Sequence, residues 1–282
     1  MPLHFTKLHG LGNDYVYVSL FDQRVDDPAA LARAISDRHC GVGSDGLILV
    51  GPPDAGGADV RMVMYNADGS RAQMCGNGIR CLAKLVWDRG WARRNPLKVQ
   101  TDRGVLTLDL VLNEADLVEQ VRVDMGPPVL HPRDVPVALE GERVVAHALE
   151  WDTHTLYLTC VSMGNPHAVF FVPALSAIPL AEWGPRLENH PLFPQRTNVH
   201  FAHVERRDFV RIITWERGAG ATQACGTGAA AVCVAGVLNH LTDRRMTIAL
   251  PGGELRLTWA GDTGHVFMTG PAVEVFTGAW PS

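Results

Sequence analysis

Nowhere in the 282 residues is there a run of lysine or arginine, and the net charge is −5. That lack argues against a nucleic-acid or anionic-membrane partner, since either is normally met by a basic patch. No apolar stretch reaches the ~20 residues that a spanning helix needs. The longest, near 224–238, is mostly Ala, Gly and Val and reads as a buried helix. The opening segment MPLHFTKLHG has neither the basic n-region nor the apolar h-region of a signal peptide, so a cytoplasmic protein is expected. There is no Walker loop; GVGSDG at 41–46 resembles a phosphate-cradling loop only superficially. No low-complexity segment occurs. None of the six cysteines (40, 75, 81, 160, 225 and 233) stands in the Cys-x-x-Cys spacing of a zinc site, and no metal is expected. A disulfide framework belongs to short secreted chains, which leaves buried free thiols as the ordinary reading.

What is present is ordinary soluble composition, 46% hydrophobic and 20% charged, at a length that suits one large or two medium domains. The frequency of Gly (28) and Pro (18) implies many tight turns. Two segments are alike. YNADGSRAQMCGNG at 65–78 aligns without gaps on WERGAGATQACGTG at 215–228, at an offset of 150. Tyr65 falls on Trp215, Asn66 on Glu216, Gln73 on Gln223, Cys75 on Cys225, Gly76 on Gly226 and Gly78 on Gly228. Upstream, Gly12-Asn13 and Gly164-Asn165 form a weaker pair at an offset of 152. A period this long is not a solenoid. It predicts two homologous halves related by a pseudo-two-fold axis.

Residues 58–65 and 208–215 are apolar, β-branched runs that read as strands. Each leads through a polar, Gly-containing loop to Cys-Gly-x-Gly and then to a helical pattern. The first helix is expected over 77–89 with Gly90 as its stop. The second, over 226–240, is apolar nearly all round and should be buried. Further strands are expected at 15–20, 46–50, 97–112, 119–124, 143–149, 155–162, 167–172, 197–204, 245–259 and 264–270, with helices at 28–38 and 180–189. Many strands and one buried helix per half predict two pseudo-symmetric domains, each a curved, mainly antiparallel sheet around a central helix. The boundary is expected near 117–118, shortly before the Pro-rich stretch 126–136.

The chemistry follows from the two turns. A cysteine just before a helix sits beside unpaired backbone N–H groups and the positive end of the helix dipole. That setting favours a thiolate, so the pKa of Cys75 and Cys225 can fall below the usual ~8.5. The N–H groups of Gly76, Asn77, Gly226 and Thr227 can also hold a substrate carboxylate, and glycine lets a ligand approach the backbone. Should the halves face each other, the two thiols would meet one substrate from opposite sides, as an amino-acid epimerase requires. One thiolate would remove the α-hydrogen and the other thiol would return a proton to the opposite face. The held carboxylate would delocalise the carbanion charge, with no pyridoxal phosphate or metal.

Other residues carry weaker signals. Cys81 and Cys233 lie on helices and read as core. His167, two residues past Asn165, reads either as a core histidine or as facing the site. Glu216-Arg217 reads as a solvated turn or as a substrate clamp, and the symmetry favours the clamp. Asn13, Asn66 and Asn198 are turn residues by default.

The run NADGSRAQMCGNGIRC at 66–81 is very similar to the first cysteine signature of diaminopimelate epimerases, and WERGAGATQACGTGAAA at 215–231 is similar to the second. KLHGLGNDYV (7–16), GNPHAV (164–169) and RTNV (196–199) also fit, so the resemblance spans nearly the whole chain in order. It implies an α/β (α+β-like) protein of two domains, 1–118 plus 270–282 and 119–269, each with a barrel-like sheet around a central helix, and with the last strand returning to the first. It implies interconversion of LL- and meso-2,6-diaminopimelate, feeding lysine and peptidoglycan synthesis, by a cofactor-independent homodimer. Cys75 and Cys225 resemble the proton-transfer thiols; Gly76-Asn77 and Gly226-Thr227 resemble the carboxylate-holding amides. Asn13, Asn66, Asn165, Asn198, Glu216 and Arg217 resemble substrate-recognition residues, including those for its distal end. His167 and Glu216 resemble the groups that tune the thiols.

Two departures stand out. Some members place a substrate-contacting Gln where this chain has Gly46, and many have Glu where it has Ala221. Water could stand in at the first; the second predicts a local effect or altered distal-end recognition. A proline or hydroxyproline racemase-type enzyme is the nearest alternative, but its first motif resembles Met-Cys-Gly-His-Gly, and position 77 here is Asn. Phenazine-pathway isomerases lack the cysteine pair. A redox-switched binding protein would pair the two thiols in a disulfide.

Overall fold

The computed structural model describes residues 2–54, 56–72 and 75–281; Gln73 and Met74 of the repeat lie outside them. The chain divides into two compact units, residues 1–123 with 269–282, and residues 124–268. The elements run β1 (Leu3–Gly10), β2 (Asn13–Ser19), α1 (Pro28–Ser36), β3 (Gly46–Gly51), β4 (Val60–Asn66), β5 (Arg71–Ala72), α2 (Gly76–Asp88), β6 (Leu97–Thr101), β7 (Gly104–Leu112) and β8 (Val118–Asp124). They continue as β9 (His147–Trp151), β10 (His154–Ser162), β11 (Pro166–Phe171), α3 (Leu180–Glu188), β12 (Asn198–Arg206), β13 (Phe209–Glu216) and β14 (Gly220–Ala221). The chain ends with α4 (Gly226–Leu238), β15 (Arg245–Leu250), β16 (Gly253–Trp259), β17 (Val266–Pro271) and β18 (Val273–Trp280).

Strand pairing repeats between the units. In the first, β1–β2 is antiparallel, β2–β3 parallel, β3–β4 antiparallel, β4–β6 parallel and β6–β7 antiparallel. In the second, β10–β11, β11–β12, β12–β13, β13–β15 and β15–β16 follow the same alternation. Each parallel step has a helix available for its crossover, as parallel strands require: α1 and α2 in one unit, α3 and α4 in the other. The architecture is therefore mixed α/β with an internal repeat. β18 returns along the chain to pair antiparallel with β1.

Each unit wraps its sheet around one helix. α2 packs against β1, β2, β7 and β18, and Ile79, Leu82 and Val86 are fully buried. α4 packs against β10, β11, β12, β15 and β16. Its Ala229, Ala230, Ala231 and Ala235 are fully buried, and such small side chains let strands approach from several sides. Burying each large aliphatic residue of α2 contributes about 1.5–3 kcal/mol. A second layer lies outside each sheet. Ala32 and Ile35 of α1 meet Val16, Val18, Leu47 and Leu49, while Trp183 and Leu187 of α3 meet Phe170, Val199 and Phe201.

Four details differ from the sequence reading. The stretches 97–112 and 245–259 are each a hairpin, turned at Asp102-Arg103 and at Pro251-Gly252. The strand expected over 143–149 begins only at His147, because Ala146 takes a φ of +48°, outside extended geometry. β1 was not expected from patterning; Phe5, Thr6, Lys7 and Leu8 are buried in succession, so both faces are covered and no alternation shows. Helix α2 stops as read, with Gly90 in the left-handed region at φ +72°.

Glycine fixes the approach of each central helix to its sheet, though not equally. A Cβ at Gly228 would lie 2.2 Å from Cε1 of His200, a ring hydrogen-bonded through both nitrogens. A Cβ at Gly78 would lie 2.7 Å from Cδ1 of Ile48, the free end of a flexible side chain. Gly228→Ala is expected to cost about 3 kcal/mol and Gly78→Ala about 1, at about 2–4 °C of Tm per kcal/mol. Thermal melts of the two variants check this; equal losses would show that the ring yields as easily as the methyl.

Candidate active site

Both cysteines stand where a turn in extended backbone gives way to a central helix. Cys75 (φ −136°, ψ 124°) is the N-cap of α2, and its Sγ accepts the Gly78 N–H at 3.4 Å. Cys225 (φ −120°, ψ 104°) is the N-cap of α4, with Thr227 Oγ1 3.7 Å from its sulfur. Cys75 is partly exposed and Cys225 buried.

Asn13 and Asn77 join Cys75 in the first unit. The Cys75 thiol donates to Asn13 Oδ1 at 3.5 Å, and Asn77 Nδ2 donates to the same oxygen at 3.2 Å. The Asn13 amide can face only one way, because its Nδ2 donates to the Asp45 carboxylate at 2.5 Å, which only accepts. Arg38 in turn holds Asp45 at 2.8 Å. Tyr15 donates its hydroxyl to Cys75 Sγ at 3.3 Å. Asn66, at the end of β4, bonds Ser70 Oγ at 2.9 Å and closes the turn that leads toward the cysteine. Gly46 pairs with Asn66 across β3 and β4, and a Cβ there would come within 2.2 Å of the Tyr65 carbonyl oxygen. This backbone therefore admits no side chain at position 46.

In the second unit a buried chain of hydrogen bonds runs through His167. Its Nε2 meets Asn165 Oδ1, its Nδ1 meets His200 Nε2, and His200 Nδ1 meets Thr214 Oγ1, each at 2.9 Å. Burial, then the neighbouring His200 and Arg217, holds His167 well below the usual imidazole range; burial alone brings His200 to about 3. Both rings are thus neutral. With Asn165 Oδ1 accepting, the donors run in one direction: Thr214 to His200, His200 to His167, His167 to Asn165. Asn198 is a brace. Its Nδ2 donates to the Pro166 carbonyl at 2.8 Å and its Oδ1 accepts the Arg217 N–H at 3.0 Å. Glu188, also buried, accepts from Trp215 Nε1, Gly218 N and Arg196 and so holds the Glu216-Arg217 turn. Glu216 accepts from the Thr222 hydroxyl at 2.6 Å, and the Arg217 guanidinium reaches the Gln195 carbonyl at 2.9 Å. Ala221 is exposed on β14, beside Thr222.

The expected lowering of the two thiols does not occur. Burial pushes the Cys75 thiol up; Tyr15, the Gly78 and Asn77 N–H groups and Arg80 only oppose it. Burial and the Glu216 charge push Cys225 well above the ordinary range, against Thr227 and Gly228. The helix-terminus donors are in place, but desolvation of a charged sulfur outweighs them. Cys81 and Cys233 are core residues, as read, and burial raises each to about 12. All six cysteines are free thiols. Among the described residues no group of three or more His, Cys, Asp or Glu could hold a metal, and no helix is long and apolar enough to cross a membrane.

Sequence reasoning missed Tyr15, Asp45, His200, Thr214 and Glu188. One signal was available: in a strand, i and i+2 share a face, so Asn198 points to His200 as Asn13 points to Tyr15.

The neutral histidines have a measurable consequence. A group whose folded pKa is depressed leaves stability intact above its unfolded value and withdraws it as pH falls. His167 and His200 should each remove about 1.4 kcal/mol per pH unit below ~6.5. Urea denaturation between pH 6.5 and 5, above the range where most carboxylates titrate, should show a loss of about 3 kcal/mol per unit. A flat profile would mean that the rings protonate without unfolding.

The diaminopimelate epimerase family profile matches residues 5–131 and 159–275. Among curated relatives, the diaminopimelate epimerase of Acetivibrio thermocellus is 48% identical over 98% of both chains. That of Moorella thermoacetica is 48% identical over 99% of both, and that of Methanococcus maripaludis strain C6 is 44% identical over 98% of this chain and 99% of its own. Solved structures share the fold at low identity. A phenazine biosynthesis protein of the PhzF family from Bacillus anthracis (TM-score 0.70, 14% identical) covers all of both chains. A hydroxyproline epimerase from Agrobacterium vitis (TM-score 0.66, 14% identical) covers 99% of this chain and 90% of that one. On a profile match across most of its length and on relatives nearly half identical along almost all of it, this chain belongs to the diaminopimelate epimerase family.

Proposed function

We propose that this protein is an isomerase that interconverts LL-2,6-diaminopimelate and its meso form, with Cys75 and Cys225 as the two proton-transfer groups. The observation that carries this reading is the recurrence of one device. In each unit a cysteine N-caps the helix around which the sheet is wrapped. A thiolate on one cysteine removes the α-hydrogen, and the thiol on the other delivers a proton to the opposite face of the carbanion. The charge then rests on the second sulfur, so the reverse reaction starts from the state that the forward one leaves. No net proton is taken up, and the chemistry calls for neither pyridoxal phosphate nor a metal.

The first-turn amides of Gly76, Asn77, Gly226 and Thr227 hold the substrate's α-carboxylate and stabilise the charge that spreads into it. Asn13 and Asn165 present amides whose orientation is set from behind, by Asp45 and by His167. Asn66, Glu216 and Arg217 recognise the remainder of the substrate, including its distal amino-acid end. Asn198 serves recognition through Arg217, whose backbone it holds. Glu216 tunes Cys225 by its charge, and His167 acts through Asn165. The two compact units are read as two domains, each carrying one thiol. A homodimer, a cytoplasmic location and a role in lysine and peptidoglycan precursor synthesis complete the proposal.

The test is to incubate the reduced protein with LL-diaminopimelate in D2O. Deuterated meso product should appear, and Cys75→Ala and Cys225→Ala should each lower the rate by at least about 100-fold. Exchange into hydroxyproline instead would overturn the substrate; full activity in either variant would overturn the two-thiol mechanism. Since burial raises both thiols, and Cys225 further than Cys75, kcat/KM should climb above pH 7 as one sulfur ionises. It should fall again once both have lost their protons. Initial rates from pH 6 to 10 check this; a profile with its maximum near pH 6 would contradict it.

A further inference from the structure

We propose that Tyr15 is a positioning residue for Cys75, its hydroxyl holding the sulfur at the head of α2 and favouring its thiolate form. The inference rests on the reading of Cys75 as a proton-transfer group, but the hydrogen bond itself is testable without substrate.

The geometry leaves the hydroxyl one role at the sulfur. Four groups meet Cys75 Sγ: the Tyr15 hydroxyl at 3.3 Å, the Gly78 N–H at 3.4 Å, the Asn77 N–H, and Asn13 Oδ1 at 3.5 Å. Asn13 Oδ1 can only accept, so in the thiol form the S–H points to it, and Tyr15, Gly78 and Asn77 donate to the sulfur. Once the proton leaves, the Asn13 contact loses its donor, whereas the three donors to sulfur gain from the charge. Tyr15 therefore stabilises the thiolate more than the thiol. It is itself 4% exposed, and burial keeps its hydroxyl protonated far above the working range. β2 fixes its position, with Leu8 opposite on β1 and Gly46 opposite on β3.

Other groups act on this sulfur without replacing the hydroxyl. Tyr17 on β2 donates to the Gly78 carbonyl at 2.8 Å, not to the sulfur. On α2, Arg80 favours the thiolate by its charge, and Cys81 stays a thiol at about 12. Asp45, ahead of β3, faces the Tyr15 hydroxyl and helps to keep it neutral. In the second unit the position equivalent to Tyr15, at the offset of 152, is His167. Its ring nitrogens go to Asn165 and His200, so a strand-borne hydroxyl on sulfur belongs to the first unit, whereas the hydroxyl at Cys225 is that of Thr227 on the helix itself.

The experiment follows alkylation of Cys75 by iodoacetamide against pH, read peptide by peptide by mass spectrometry. Wild type, Tyr15→Phe and Tyr17→Phe are compared, with exposed Cys40 as an internal standard. Loss of a hydrogen bond to a charged partner predicts a Cys75 midpoint about one pH unit higher in Tyr15→Phe. Tyr17→Phe should leave it in place. For LL-diaminopimelate exchange, Tyr15→Phe should lower kcat about tenfold, with little change in KM. An unmoved Cys75 midpoint in Tyr15→Phe, or an equal shift in Tyr17→Phe, would overturn the proposal. A shifted midpoint in a protein that shows no exchange even as wild type would uphold the Tyr15 contact and defeat the epimerase reading instead.

Discussion

A helix that begins inside a protein leaves its first N–H groups without water and without intrahelical partners, so something fixed must face them. In this chain both central helices begin that way, and in both the residue at the cap is a cysteine. Sulfur is a weak acceptor and fills the place poorly as a neutral thiol, but well as a thiolate. Much of the surrounding structure serves that placement. The helices are clad by strands on several sides, which fixes them. The glycine three residues past each cysteine lets the sheet come within contact of the first turn. Replace that environment with solvent and the first-turn amides would bond to water, leaving the sulfur no privileged partner.

The same burial works against the charge it prepares for. Sinking a thiolate into a low-dielectric interior raises its pKa, and here the rise exceeds what two or three donors return. The outcome is two protonated cysteines in the resting protein, unequal because Glu216 adds a negative charge beside only one of them. An α-hydrogen of an amino acid is a weak acid, and a base with a raised pKa is the stronger base when it does ionise. In the proposed reaction, desolvation that holds the thiolate population down would therefore also sharpen each thiolate and strengthen every fixed dipole aimed at the carbanion. Donors such as Tyr15 matter because they recover population without returning water to the site.

The repeat was readable because its chemistry is local: strand, turn, cysteine and glycine lie within fourteen residues in both halves. From it came the two central helices, their burial and the α/β class with its internal repeat. What stayed hidden is set by long-range contact. β1 buries both faces and so shows no period; the two-residue strands β5 and β14 are too short for any pattern. Hairpins at 102–103 and 251–252 read as single long strands only where Asp102-Arg103-Gly104 and Pro251-Gly252-Gly253 are passed over as the turn signals they are. The low pKa expected at a helix terminus failed for a related reason. The sequence displays the dipole, but the depth at which it is buried is a property of the folded chain. Asn198 makes the point for single residues. Motif position suggests a ligand contact, and the structure commits both ends of its amide to backbone.

Duplication explains why the scaffold is shared, and divergence at matched positions explains why the halves are not interchangeable. At the offset of 152, Tyr15 corresponds to His167 and Ile48 to His200; at 150, Met64 corresponds to Thr214. The pairing registers agree, with Ile48 opposite Met64 and His200 opposite Thr214. One half thus fills the layer beneath its helix with a phenol, an isoleucine and a methionine. The other fills it with two imidazoles and a hydroxyl. The apolar version leaves Tyr15 free to spend its single donor on sulfur. The polar version cannot leave a buried imidazole unsatisfied, so its donors must run on from Thr214 until they reach an acceptor, which is the Asn165 side chain. A single substitution in either column would strand a polar group, overfill the space or leave a cavity. The columns therefore constrain themselves as sets, and each set orients a different neighbour: the thiol in the first unit, an asparagine amide in the second.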